Sequence, residues 1–151
     1  VEFKREKAME LGATHAVSDV DEAWTVVAEL TRGQLADICV ITTDVAEGDY
    51  IAPALSLVGK RGKVVVTAIG HPDQMEIKTN LFELTLYEKQ ILGSLFGSSN
   101  PRHDIPRMLE MYRAGQLKLD ELVTREYSLD EINQGYADML SGKNLRGVIR
   151  F

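Results

Sequence analysis

The chain contains few of the residues that mark several classes of protein. Its 151 residues include one cysteine, four prolines and one tryptophan, and there is no initiator methionine. A single cysteine excludes a disulfide within the chain, and an unpaired thiol fits a reducing cytoplasm. No apolar run approaches the roughly 20 residues that a membrane helix needs. The composition therefore predicts a cytoplasmic protein with no membrane partner.

Positive charge is also scarce. Lysine and arginine number 17 against 23 aspartates and glutamates, which gives a formal net charge of -6. Binding to nucleic acid needs clustered Lys and Arg side chains that neutralise phosphates. Nucleic acid is therefore not an expected partner.

The motifs of several common sites are absent. Neither G-x-G-x-x-G nor G-x-x-x-x-G-K-[ST] occurs, so the usual glycine-rich phosphate loops are missing. His15, His71 and His103 are scattered and there is no C-x-x-C, whereas a zinc site takes three or four convergent ligands. No serine lies in G-x-S-x-G, the nucleophile motif of many hydrolases. These residues alone predict no catalytic group and no metal ligand.

Strand and helix patterns alternate from the start of the chain. Segment 1–12 has the pattern of the middle and end of a helix that Gly12 terminates, and no strand precedes it. Amphipathic helices then alternate with apolar runs, which predict strands at 15–18, 38–42, 63–69 and 90–96. Such alternation requires crossover helices and a parallel sheet. We therefore expect the C-terminal part of a larger α/β protein.

The pattern changes after Phe96, where a helix, a strand, a second helix and a closing strand follow. Ser128 to Glu131 forms a capping box before the second helix. Apolar spacing in that helix predicts an inward face made of Ile132, Tyr136, Met139 and Leu140. We therefore expect two parts, residues 1–100 and 101–151, that belong to different packing units.

Small or polar residues follow the predicted parallel strands, in the segments 42–44, 67–70 and 94–97. In open α/β sheets, ligands bind just beyond the carboxyl ends of the strands. These segments are therefore candidates for a ligand site. The alternative, that they merely begin loops, stays open on this pattern alone.

Two motifs are distinctive: the closing S-G-x-x-x-R-x-x-x-x-F of Ser141 to Phe151, and LFGSSNPR at 95–102. Together with KAMELGATHAV at 7–17, they resemble the C-terminal part of the zinc-dependent medium-chain alcohol dehydrogenases, and the resemblance covers essentially the whole chain. LFGSSNPR is similar to the actinobacterial branch that includes nitrosoaniline-dependent and mycothiol-dependent formaldehyde enzymes.

The resemblance implies a fold and an activity. The fold is α/β, a partial Rossmann-type parallel sheet that lacks its first two strands, followed by a C-terminal α+β segment of the catalytic domain. The intact enzyme would transfer hydride between a small alcohol or aldehyde and NAD, with zinc polarising the alcohol oxygen. The zinc ligands would lie outside this chain, which alone is expected to be inactive.

The resemblance also implies a set of cofactor-binding residues, with no catalytic residue or metal ligand in the chain. Lys4 would lie beside the adenosine ribose. Arg146 would approach the pyrophosphate, for which a guanidinium offers a planar fork of donors. Thr42 and Thr43 would flank the adenine and ribose, and the nicotinamide carboxamide would face Val66, Thr67, Ala68, Ser94, Leu95 and Phe96.

The same family pairs two subunits through the last strand of the coenzyme domain. We therefore expect a homo-oligomer in which the segment from Ile91 to Phe96 forms an antiparallel strand contact across a two-fold axis. An apolar edge strand tends to pair with another chain, which fits this expectation.

Two other functions stay open. A zinc-free quinone or enoyl reductase using NADPH would share this part of the superfamily, since the ligands that distinguish the two lie outside the chain. A non-catalytic α/β module, such as a receiver-like domain with Asp44 as phosphoacceptor, needs an acidic pair after the first strand and a lysine after a later one. Gly70 and His71 follow the strand in question, which argues against such a module.

Overall fold

The computed structural model describes all 151 residues, which form two compact units. The central unit is Val17–Ser99, and the terminal unit combines Val1–Ala16 with Asn100–Phe151. The helices are α1 (Glu2–Glu10), α2 (Val20–Leu30), α3 (Ile51–Leu57), α4 (Leu81–Leu86), α5 (Pro101–Arg113) and α6 (Ile132–Leu140). The strands are β1 (Ala36–Ile41), β2 (Val45–Ala46), β3 (Val58–Val66), β4 (Ile69–Gly70), β5 (Gln90–Gly93), β6 (Val123–Ser128) and β7 (Arg146–Arg150).

A three-stranded parallel sheet with the order β1-β3-β5 forms the frame of the central unit. Ile41 of β1 pairs with Val66 of β3, which pairs with Gly93 of β5, so the three carboxyl ends lie in register. Parallel neighbours need crossover connections, and here these run through α3 and α4. The predicted α/β class with a parallel sheet is confirmed.

The core of the central unit lies on one face of this sheet. α3 buries Ile51, Ala54 and Leu55 in a cluster with Val58 and Val64 of β3. Ile38 and Val40 of β1, which alternate with the core residues Cys39 and Ile41, are 57% and 50% exposed on the other face. The continuous apolar run at 38–42 predicts a strand covered on both faces, and that prediction is wrong for this unit.

Three sequence-based element boundaries are wrong. Val58 continues the apolar spacing of α3, yet its φ of -101° and ψ of 143° are extended, and it begins β3. The strand expected over 63–69 is interrupted after Val66, and Ile69–Gly70 instead forms a short parallel pair with β2. Segment 15–18 is not a strand, because no other strand pairs with it.

The strand predicted over 90–96 also ends early. β5 stops at Gly93, and residues 95–98 form a tight turn in which Phe96 has a φ of 48° and Gly97 a φ of 68°. Left-handed backbone of this kind cannot continue a β ladder. The segment from Ile91 to Phe96 is therefore not one strand, and only its first three residues lie in β5.

In the terminal unit, β6 and β7 form a parallel pair joined by α6. The predicted capping box is confirmed, since the Glu131 carboxylate accepts hydrogen bonds from the Ser128 amide and hydroxyl at 2.9 and 2.8 Å. The predicted inward face of α6 is largely wrong. Asp138 is its buried side chain, whereas the exposed side chains include Tyr136, Met139 and Leu140.

None of the helices combines the length and the apolar character that crossing a bilayer requires. The assignment of residues 1–100 to a coenzyme domain and of 101–151 to a catalytic domain stays a prediction.

Candidate functional site

The carboxyl edge of the central sheet carries eight of the ten predicted site residues. The three strands are parallel and in register, so their carboxyl ends meet at one edge. The residues at this edge are Thr42 and Thr43 after β1, Val66, Thr67 and Ala68 at the end of β3, and Ser94, Leu95 and Phe96 after β5. The structure therefore brings these eight together as the sequence predicts.

Hydrogen bonds fix the backbone of this edge. Thr67 donates from its amide and its hydroxyl to the Ile41 carbonyl, at 3.2 and 3.0 Å. The Ser94 amide donates to the Val66 carbonyl at 2.9 Å. Each strand end is thus bonded to its neighbour, and the Thr67 hydroxyl serves the frame of the edge.

The turn after β5 presents two large apolar side chains to solvent. Leu95 and Phe96 are 66% and 80% exposed. The hydroxyls of Ser94 and Ser98 lie 3.0 Å apart and close the turn. Ser99 Oγ donates to the Phe96 carbonyl at 2.9 Å. The left-handed conformation of Phe96 is unusual for a bulky residue, so a set of local bonds holds this turn in place.

The other two predicted residues, Lys4 and Arg146, line one groove of the terminal unit. The groove has a volume of about 310 Å³, and its remaining walls are apolar: Ala8, Leu11, Leu122 and Leu145. Lys4 is on the helix that precedes Gly12, and Arg146 is the first residue of β7. No carboxylate lines the groove, and neither cation is paired with a carboxylate of the chain.

The turn before Arg146 is linked to the buried carboxylate of Asp138 through hydrogen bonds of Tyr127 and Asn144. Asp138 accepts hydrogen bonds from Arg125 Nη1 at 2.8 Å and from the Tyr127 hydroxyl at 3.0 Å. Burial by itself raises the pKa of the Asp138 carboxyl. The hydrogen bonds that it accepts, first from Tyr127 and Gln134, and two nearby positive charges outweigh burial and hold this pKa below its ordinary value.

The apolar spacing of α6 does not identify this carboxylate. Asp138 lies on α6 but is not part of the predicted apolar face of that helix. Its burial depends on partners that lie 11 and 13 positions away along the chain, Tyr127 and Arg125. The available signal was a Tyr and an Arg two positions apart on a strand, so that both face the same side of the sheet.

A second cavity lies at the opposite, amino end of the central sheet. It measures about 460 Å³ and is lined by residues that begin the strands, including Leu35, Asp37 and Lys60. Lys89, whose side chain is 5% exposed, donates there to the Leu55 carbonyl at 2.8 Å and to Glu83 Oε2 at 3.2 Å. The hydrogen bonds of this ammonium therefore connect α3 and α4 to the start of β5.

The chain brings together no three His, Cys, Asp or Glu side chains that could hold a metal ion. Cys39 is half-buried against the core, and burial raises the pKa of its thiol, so it is not an activated nucleophile. What the arrangement offers is recognition. A two-cation groove suits phosphate oxygens, and a polar sheet edge suits an extended ligand.

Comparison with known proteins gives consistent matches. The family model of the zinc-binding dehydrogenases matches residues 1–114. An NDMA-dependent alcohol dehydrogenase of Amycolatopsis methanolica is 51% identical over 149 residues, covering 99% of this chain and 40% of that protein. Alcohol dehydrogenase B of Mycobacterium tuberculosis is 46% identical over 151 residues, covering 100% of this chain and 40% of that protein.

Solved structures match over the same extent. The benzyl alcohol dehydrogenase of Acinetobacter calcoaceticus has a TM-score of 0.87 at 28% identity, and the match covers 100% of this chain and 41% of that one. An alcohol dehydrogenase zinc-binding domain protein of Burkholderia ambifaria has a TM-score of 0.86 at 29% identity, and the match covers 100% of this chain and 40% of that one. The chain thus spans about 40% of the length of the curated relatives it matches.

Proposed function

This chain belongs to the zinc-binding dehydrogenase family, and from that membership we propose that it is the C-terminal part of an alcohol dehydrogenase. The full-length protein would transfer hydride between a small alcohol or aldehyde and a nicotinamide dinucleotide. The observation that carries this proposal is the groove of the terminal unit. Lys4 and Arg146 lie 142 positions apart, yet both line the same small groove, where no carboxylate neutralises them.

In this proposal Arg146 binds the pyrophosphate of the dinucleotide. A guanidinium presents a planar fork of donors to phosphate oxygens and adds its positive charge to each hydrogen bond. Lys4 binds beside the adenosine ribose, where an ammonium can donate to hydroxyl oxygens. The apolar walls of the groove lower the competition from water for these hydrogen bonds.

The carboxyl edge of the central sheet would bind the rest of the dinucleotide. Thr42 and Thr43 would flank the adenine side. The backbone of Val66 to Ala68 and of Ser94 to Phe96 would face the nicotinamide carboxamide, which needs both a donor and an acceptor. The hydrogen bonds that fix Thr67 and Ser94 support this role, because a rigid edge positions a flat ring without an ordering cost at binding.

NAD is the cofactor that we propose, and this chain supplies donors for its phosphates. We propose zinc for the full-length enzyme, where it would polarise the oxygen of the substrate. The residues of this chain do not form a site for it. We therefore assign this chain to cofactor binding. A cytoplasmic location and pairing through β5 complete the proposal.

The two arginines of β7, Arg146 and Arg150, allow a direct test in the full-length protein. Arg146 begins this strand, and Arg150 ends it in an ion pair with Glu126. We expect Arg146→Ala to raise the Kd for NADH about tenfold or more, because a charge-assisted hydrogen bond is lost. Arg146→Lys should recover part of the affinity, since the charge stays but the planar fork does not. Fluorescence titration of NADH measures each Kd.

Arg150→Ala is the control, and its Kd for NADH should stay within about twofold of the wild-type value because exposed ion pairs contribute little. Equal effects of Arg146→Ala and Arg150→Ala, or no effect of either, would count against the proposed role of the groove.

A further inference from the structure

The carboxylate of Asp138 is buried yet fully engaged. Its side chain is 2% exposed, and Oδ2 accepts from Arg125 and Tyr127 as described above. Oδ1 accepts from Gln134 Nε2 at 3.0 Å, and Lys143 Nζ lies 3.9 Å from it. A buried charge is tolerated when its hydrogen bonds are made. Both oxygens of Asp138 accept hydrogen bonds, which hold its carboxylate in one position inside the terminal unit.

The Tyr127 hydroxyl connects the Asp138 carboxylate to Asn144, which lies in the turn before Arg146. It donates to Asp138 Oδ2 and accepts from Asn144 Nδ2, at 3.0 and 3.1 Å. The Tyr127 ring also lies directly against the residue after Arg146. A Cβ built on Gly147 would stand 2.8 Å from Tyr127 Cε2, so only glycine fits there.

The backbone of the turn is held from two further sides. The Lys143 amide donates to the Asp138 carbonyl on α6 at 2.9 Å. The Leu145 amide donates to Thr124 Oγ1 on β6 at 2.9 Å. Arg146 itself pairs with Val123 in the β6–β7 ladder. The backbone on both sides of Arg146 is therefore fixed, while its guanidinium remains exposed and unpaired.

We propose that the hydrogen-bonded chain Asp138–Tyr127–Asn144 positions Arg146 for a phosphate group of the dinucleotide. Asp138, Tyr127 and Asn144 are positioning residues in this proposal, because they act on the cofactor through Arg146. The proposal rests on the proposed function of the groove. A side chain whose backbone is already ordered loses less freedom on binding, so a fixed turn strengthens the contact of Arg146 with its ligand.

The test removes one oxygen atom in the full-length protein. Tyr127→Phe keeps the ring against Gly147 but deletes both hydrogen bonds of the hydroxyl. We expect it to raise the Kd for NADH roughly fivefold, the effect of about one net hydrogen bond. Tyr112→Phe is the matched control, since its hydroxyl donates to Asp120 Oδ2 at 2.7 Å and neither residue lines the groove, so it should leave the Kd unchanged.

A double-mutant cycle separates positioning from a general structural role. If Tyr127 acts through Arg146, Tyr127→Phe has no further effect on the Kd in the Arg146→Ala background. An equal effect in both backgrounds would overturn the proposal. A weakening by Arg146→Ala with none by Tyr127→Phe would also overturn it, while leaving the proposed function intact. No weakening by Arg146→Ala would instead overturn the proposed function itself.

A folding control accompanies the cycle. Circular dichroism and the thermal midpoint show whether Tyr127→Phe keeps its fold. If Tyr127→Phe does not fold, Asn144→Ala replaces it in the cycle. Asn144→Ala removes the side-chain amide that donates to the Tyr127 hydroxyl. The expected result is the same loss of affinity in the wild-type background and none in the Arg146→Ala background. Additive losses would overturn the proposal.

Discussion

Asparagine precedes two helices of the chain and acts differently at each. Before α4, Asn80 Oδ1 accepts from the amides of Phe82 and Glu83, at 3.0 and 3.3 Å. Before α5, the Asn100 side chain makes no such bond, and its own amide donates to Asp104 Oδ2 at 2.7 Å. Of the two side chains, only that of Asn80 satisfies free amides of the first helical turn.

This difference predicts unequal effects of the same substitution. Asn80→Ala should lower the free energy of unfolding of the central unit by about 1 kcal/mol, the usual value of a side-chain cap. Asn100→Ala should lower that of the terminal unit by less than about half as much. Urea unfolding followed by circular dichroism measures both, and fluorescence of Trp24 reports on the central unit. Equal losses for the two variants would contradict this account of the caps.

At the scale of elements, β5 is the strand whose position bears on assembly. It lies at one edge of the three-stranded sheet, so its outer side has free backbone groups. The Ser94 amide points to β3, and alternation along a parallel strand therefore directs the Gly93 amide outward. A Cβ on Gly93 would meet no atom within 4 Å. Gly93 thus allows the outer edge to be altered without disturbing the ladder to β3.

We expect the full-length protein to self-associate through this edge. Gly93→Pro should raise the dissociation constant of this self-association by about tenfold or more, because proline lacks the amide N–H that points outward. Gly93→Ala is the control, and it should associate as the wild type does, since it keeps that amide. Sedimentation equilibrium at micromolar concentration gives the mass of each. A monomeric wild type, or equal masses for all three proteins, would rule out pairing through β5.

At the scale of the whole molecule, local patterns predicted the central sheet well. Apolar runs followed by helical stripes specify β1, β3 and β5, because both periodicities are contained in short windows. The pairing of β2 with β4 was not predictable, since each strand has two residues and so short a segment shows no periodicity. The burial of Asp138 was missed for a different reason. It depends on Arg125 and Tyr127, and distant partners leave no trace in the spacing of α6.

The candidate site shows the same division. The sequence predicted the segments that hold the site residues, although β3 and β5 each end before the expected position, and the strand register then brings these segments to one edge. The shared groove of Lys4 and Arg146 follows from contacts over most of the length of the chain, which no local pattern contains. The family resemblance named both residues, and the structure places both on the lining of one groove.

Hydrogen exchange of the full-length protein with and without NADH tests the central claim most directly. NADH should slow exchange of the backbone amides at Thr43, Thr67, Ser94 and Arg146. It should leave unchanged the amides that line the amino-end cavity, such as Leu35 and Lys60. Slowed exchange at the amino-end cavity alone, or no change anywhere in the chain, would contradict the assignment of this chain to dinucleotide binding.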